Sequence, residues 1–155
     1  MAFLFFNGFY NSVVNEVGEE KALNLLEDMG KAMGIMQGKM LKSQLRRDKI
    51  KEVTPSIAGP LTSGVIAGLG IETETIEESP EKISFKINKC PVYEATKLMG
   101  LDPETMCRHS AMPFMNTIVK QLDPNLGYEL EKYRSGPDDF CQESIVLKKE
   151  ALIER

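Results

Sequence analysis

With 155 residues, 42% of them hydrophobic and 27% charged, the chain is long enough to bury one sizeable core and has the composition of an ordinary globular domain spanning 1–155. A net charge of −4 argues against a dedicated nucleic-acid binder, which needs a basic surface to neutralise phosphates; the one compact basic run, LRRDK at 45–49, reads as a solvated helix end. No stretch is long enough to span a bilayer, and the apolar start MAFLFFNGFY lacks the basic region of a secretory signal. The 3 cysteines, an odd number without such a signal, point to free thiols in a reducing cytoplasm.

A first helix is predicted over 3–15, with Gly18 breaking it, and a second over 19–42. Ala22, Leu25, Leu26, Met29, Met33, Met36 and Met40 recur at helical spacing, so this stripe is expected to face the core. Gly30, Gly34 and Gly38 recur along its flank. Each costs about 1 kcal/mol relative to alanine in a soluble helix, so three in register point to close approach of another helix, a dimer mate or a ligand. Thr54 can cap and Pro55 can start a short helix, which Pro60 and Gly64 make irregular. Strands are predicted over 71–77 and 82–89 around a Ser79-Pro80 turn, then helices over 91–99 and 103–121. The loop signal Asp123-Pro124-Asn125 precedes a second strand pair, 126–134 and 140–148, joined by SGPDD. Helices, hairpin, helices, hairpin is the order of an α+β domain: an antiparallel sheet of about four strands covered by helices on one side.

The chemistry concentrates between Ile83 and Ser110. Ile83, Phe85 and Ile87 alternate as a strand with one buried face. Pro91 ends the ladder for want of an amide hydrogen and suits the first position of a helix. Cys90 is therefore expected at or beside a helix N-cap, facing free N–H groups that lower a thiol's pKa; the alternative is a small buried hydrophobe. Asp102 and Pro103 form a second helix start, with Leu101 and Met106 as its hydrophobic staple. Cys107 lies more than a turn inside, where the helix dipole has faded. Pro113 stands four residues after His109, leaves the His109 carbonyl without its helical partner and kinks the helix. A free carbonyl beside a thiol and an imidazole can line a polar pocket, and a kink can equally do no more than shape a core helix. The last strand carries Cys141 in FCQ, and alternation turns either Cys141 or Phe140 toward the helices.

EVGEEKALNLLEDMGKAMG at 16–34, FKINKCPVYEATKLMG at 85–100, Cys107 after the next cap and DFCQ at 139–142 together resemble the L-2-amino-thiazoline-4-carboxylic acid hydrolase family. More distantly, the chain is similar to 4-vinyl reductase-type small-molecule-binding domains. The resemblance covers most of the chain. It implies the α+β ligand-binding arrangement shared with haem-nitric oxide sensors and vesicle-tethering subunits, with a ligand held between helices and sheet and a tendency to dimerise. The chain departs from the family pattern in two places: Arg108, His109 and Ser110 stand where an acidic residue closely follows the second cysteine, and Gln142 stands where an aromatic follows the last.

The activity implied is hydrolysis of a small cyclic thiazoline- or amidine-type compound. Cys90 or Cys107 attacks the ring carbon or orients water, His109 carries protons near neutral pH, and Arg108 holds a substrate carboxylate. Ser110, Cys141, Met33 and Gly34 complete the expected ligand contacts, in a pocket between the glycine- and methionine-bearing helix and the sheet. A second possibility is a non-catalytic binding or sensor domain, its pocket softened by methionines at 29, 33, 36, 40, 99, 106, 112 and 115. A zinc site from Cys90, Cys107, His109 and Cys141 ranks third, because no Cys-x-x-Cys pair exists and residues two apart on a helix diverge. No metal or cofactor is expected. The expected partners are a small-molecule ligand, neither nucleic acid nor membrane, and a second copy of the chain packed through the N-terminal helices.

Overall fold

Gly18 takes φ +83°, a left-handed conformation that side-chain-bearing residues rarely adopt, and it separates α1 (Ala2–Val17) from α2 (Glu19–Arg47). The computed structural model describes residues 1–148. After α2 come α3 (Pro55–Gly68), β1 (Glu72–Glu78), β2 (Lys82–Lys89) and α4 (Pro91–Leu98). A continuous helical run follows, made of α5 (Pro103–Met106), a π-helical segment (Cys107–Ala111) and α6 (Met112–Leu122); β3 (Leu126–Lys132) and β4 (Cys141–Leu147) close the order.

Proline starts α3, α4 and α5, each time after the residue expected to cap the helix: Thr54, Cys90 and Asp102. Asp102 Oδ2 accepts the Thr105 N–H at 2.9 Å, while Thr54 and Cys90 make no such side-chain cap. Pro60 and Gly64 do not interrupt α3, which runs through all 14 residues, with Thr62 Oγ1 donating to the carbonyls of Ala58 and Gly59.

The sheet has 4 strands in the order β1-β2-β4-β3, and every neighbour is antiparallel. The two hairpins meet at β2 and β4, whose register runs from Lys82 opposite Val146 to Ile87 opposite Cys141. Ile83, Phe85 and Ile87 of β2 and Cys141, Glu143, Ile145 and Leu147 of β4 are buried on one sheet face, which carries the core; Ser84 and Ser144, which point the other way, are buried as well. The opposite face is polar: Lys82 Nζ lies 3.1 Å from Glu77 and 2.7 Å from Glu131. Leu41, Leu45, Ala58, Ile66, Phe85, Met115, Ile118, Val119, Leu126 and Ile145 form the main cluster.

The packing face of α2 differs from the one that hydropathy predicts. Its buried residues are Ala22, Leu26, Gly30, Gly34, Gly38, Leu41 and Leu45, whereas Leu25, Met29, Met33, Met36 and Met40 are exposed. The glycines are the seam against the π segment and α6. A Cβ at 30 would stand 2.8 Å from the Ser110 carbonyl oxygen, at 34 it would stand 2.7 Å from that of Phe114, and at 38 it would stand 2.5 Å from Gln121 Cβ. Backbone contact replaces side-chain volume here, so a hydropathy pattern weighs the wrong side of the helix. Among the described residues no helix is long and apolar enough to cross a membrane.

Candidate functional site

The end of β2 delivers Cys90 to the N-cap of α4, with φ −136° and ψ 98°. Burial is the largest influence on its thiol and raises its pKa above the ordinary value; the backbone amides of Tyr93 and Val92 and the charge of Arg134 pull the other way. The expected activation by a helix N-terminus is therefore present and outweighed by desolvation.

Cys107 opens the π-helical segment. The Met112 N–H reaches back to the Cys107 carbonyl, one residue farther than in an α-helix, and Pro113 has no N–H to offer His109. The wide turn puts Cys107 and Ala111 in one wall of a cavity. Burial pushes the Cys107 thiol well up, followed by the negative charges that Glu143, Cys141 and Cys90 can carry. Cys141, buried at the start of β4 opposite Ile87, accepts a hydrogen bond from Arg134 Nε at 3.4 Å.

The cavity lies between α3, α4 and the π segment, over the β2 and β4 end of the sheet. Ile66, Leu69, Ile87, Val92, Phe114 and Met115 make much of its wall, and Cys90, Cys107 and Cys141 all line it. Its volume is about 70 Å³. Two ionisable side chains complete it. Glu143 is buried, and its Oε2 accepts the Tyr128 hydroxyl hydrogen at 2.5 Å. Burial raises the Glu143 carboxyl above the usual carboxylate range, against the pull of that hydrogen bond. Arg134, 4% exposed, donates from Nη2 to the carbonyls of Ile87 at 2.8 Å and Asn88 at 3.3 Å, and its guanidinium lies 4.9 Å from the Tyr93 ring centroid.

Five of the eight expected site residues stand elsewhere. His109 Nδ1 is 3.7 Å from Glu27 Oε2 of α2, with no hydrogen-bond partner. Arg108 is held on the surface by Glu104 through bonds of 2.9 and 2.6 Å. Ser110 Oγ donates to the Met106 carbonyl. Met33 is exposed, and Gly34 is packed on Phe114 and Thr117. The cavity is thus not walled by the glycine- and methionine-bearing helix, because α6 takes the close seat against that helix and α2 gives the cavity no residue. Arg108 lines a separate polar groove with Glu27, Lys31, Asn116 and Lys120. Among the described residues no three His, Cys, Asp or Glu side chains are placed to hold a metal ion, so the zinc alternative lacks a coordination sphere. Glu143 and Arg134 were missed. Alternation from Cys141 places residue 143 on the same inward face, whereas Arg134 lies past the end of β3, where no periodicity reaches.

This arrangement defines an α+β domain with a thiol-lined, largely apolar cavity between helices and sheet. The chain belongs to the L-2-amino-thiazoline-4-carboxylic acid hydrolase family, whose model matches residues 2–142. No curated protein matches it in sequence. In fold it is similar to the phenol-responsive sensory domain of the transcription activator PoxR, solved with phenol: TM-score 0.63, 12% identity, 98% of this chain and 79% of that one. It is also similar to a trafficking protein particle complex subunit 3 from Naegleria fowleri covalently bound to palmitic acid, with TM-score 0.53, 19% identity and 96% of both chains covered. The α+β architecture expected from the sequence, with its four-stranded antiparallel sheet, is the one observed.

Proposed function

We propose that the chain takes a small cyclic thiazoline- or amidine-type compound into the cavity and hydrolyses it. The observation that carries this reading is the meeting of Cys90, Cys107 and Cys141 with a buried acid, Glu143, in one enclosure. Family membership agrees with it. Cys90 is the attacking group, because helix amides and Arg134 favour its thiolate even though burial opposes it. Its sulfur bonds to the ring carbon between nitrogen and sulfur, and its proton passes to the ring nitrogen. One ring bond at that carbon breaks, and water then displaces the cysteine sulfur and restores the thiol. Glu143, held toward its neutral form, lends a proton to the departing atom and regains one from the water. The net change is addition of one water. Incubation of purified protein with 2-aminothiazoline-4-carboxylate, followed by mass spectrometry, tests it: the product gains one water, and Cys90→Ala makes none while keeping the wild-type circular dichroism.

A second reading, a binding domain without turnover, is favoured by the apolar walls and by the burial that keeps Cys90 and Cys107 protonated. Both structural neighbours were solved with an organic ligand, phenol in one and palmitic acid in the other. Recovery of the ring compound bound but unopened selects this reading. The three free thiols suit a reducing, cytoplasmic setting. A homodimer through α1 and α2 follows from their apolar outer surface, where Phe5, Phe9, Leu25, Met33, Met36 and Met40 are exposed. Light scattering at micromolar concentration should give twice the chain mass.

A further inference from the structure

We infer that Arg134 anchors the carboxylate of the cavity's ligand, so that the site selects small organic acids over their neutral counterparts. This rests on the reading that the cavity takes a small molecule, and it names the residue that holds the carboxylate of that ligand. Arg134 is 4% exposed and lines the cavity, yet among the described residues no carboxylate forms an ion pair with it. Its hydrogen-bond partners are two backbone carbonyls and the sulfur of Cys141. Buried charges are ordinarily neutralised by an opposite charge, so this cation is short of a counter-ion.

The surroundings fit an anion that arrives with a ligand. Among the described residues Glu143 is the one carboxyl in the wall, and it is tied to Tyr128 by a hydrogen bond of 2.5 Å. It forms no ion pair with the guanidinium, and burial raises its carboxyl above the usual range. The Tyr93 ring covers Arg134 at 4.9 Å, and the bonds to Ile87, Asn88 and Cys141 fix the plane of the group. A guanidinium carries five N–H donors; those of Nε and Nη2 are engaged, and among the described residues nothing accepts from Nη1, which is left to donate to a carboxylate oxygen. Arg108, the anchor that sequence favoured, is on the surface and already held by Glu104. With its carboxylate at Arg134, a small ring has Cys141 beside its anchored end and shares the enclosure with Cys90 and Glu143.

Calorimetry on matched pairs tests the anchor: benzoate against benzamide, and 2-aminothiazoline-4-carboxylate against its carboxamide. Each carboxylate should bind at least about 10-fold more tightly than its amide, the usual worth of a charge-assisted hydrogen bond. Arg134→Met should abolish that preference, and Arg134→Lys should keep the preference while weakening the carboxylate, because it retains the charge and loses the planar group that the Ile87, Asn88 and Cys141 bonds hold in place. Arg134 also ties down the end of β2, so the wild-type comparison matters most: it needs no variant to fold. Equal binding of acid and amide to the wild type, or no binding by either acid, overturns the anchor. A preference that survives Arg134→Met overturns it as well. Arg134-dependent binding of the acids without ring opening upholds the anchor and removes the hydrolase reading.

Discussion

The Tyr128 hydroxyl donates to Glu143 Oε2 at 2.5 Å, and this is the one hydrogen bond that holds the buried acid of the cavity among the described residues. The bond favours the carboxylate, but burial has the larger effect and raises the Glu143 pKa above its ordinary value of 4.5. The folded protein therefore binds this proton more tightly than the unfolded chain. The resulting stability is fully present below about pH 4.5 and is lost as pH rises through the folded-state value. Glu143→Gln keeps a side-chain oxygen for Tyr128 and removes the titration. The melting temperature of Glu143→Gln minus that of the wild type should thus grow from pH 4.5 upward. Taking the difference cancels the opposite trends of Asp102 and Asp139, whose carboxyls are held low by hydrogen bonds to Thr105 and Lys132. A difference that stays constant with pH would show that Glu143 is ionised in the fold.

The glycine seam gives a stability contrast of opposite signs. Alanine at 34 places its Cβ 2.7 Å from both the Phe114 carbonyl oxygen and Thr117 Cβ. A backbone atom cannot yield as a flexible side-chain end does, so overpacking of about 1–3 kcal/mol should exceed the gain in helix propensity of about 1 kcal/mol. Gly64 of α3 is helical and exposed, with nothing within 4 Å of an added Cβ. Gly64→Ala should stabilise by about 0.5–1 kcal/mol. Urea unfolding of both variants measures the pair. A stabilising Gly34→Ala would mean that α2 and α6 are not as close as described.

Thiol labelling reads the balance at the two helix-borne cysteines. Burial raises both, but Cys107 more, and only Cys90 receives backbone amides at a helix N-terminus. Under native conditions at pH 7, iodoacetamide should modify Cys90 before Cys107, and both more slowly than in the urea-unfolded chain. Peptide mass spectrometry over time gives the order. Cys107 reacting first would contradict its placement in the π turn, away from a helix N-terminus and with its thiol raised further than that of Cys90.

What was legible in the sequence was local. Proline after Cys90 and after Asp102 set two helix starts, and alternation through Ile83, Phe85 and Ile87 set β2. Convergence of Cys90 and Cys141 follows once β2 pairs with β4, since Ile87 is opposite Cys141. Two things were hidden. Met29, Met33, Met36 and Met40 carry the hydrophobic signal of α2, yet the bare backbone at Gly30, Gly34 and Gly38 makes the contact. Pro113 marked a disturbed helix, but not that the disturbance is a π segment, which decides that Cys107 enters the cavity wall and that His109 is outside it.

That last distinction separates two variants in turnover. The sequence favours His109 as proton carrier, as the one side chain whose ordinary pKa is near neutrality. In the fold its Nδ1 faces Glu27 of α2 at 3.7 Å, and it is not among the residues lining the cavity. Glu143 is in the wall, buried, and desolvation raises its carboxyl above the ordinary range. A general acid must reach the atom it protonates, so position outranks ordinary pKa. Glu143→Gln should slow ring opening by about 100- to 10,000-fold, the usual size of general acid–base catalysis. His109→Ala should leave the rate within about 10-fold of wild type, because a group outside the site acts on it only indirectly. Single-turnover rates with 2-aminothiazoline-4-carboxylate, taken with ligand affinity, separate loss of chemistry from loss of binding. A large loss in His109→Ala with Glu143→Gln nearly unaffected would move the proton donor to the α2 side and would require the helix carrying Cys107 to turn before the reaction.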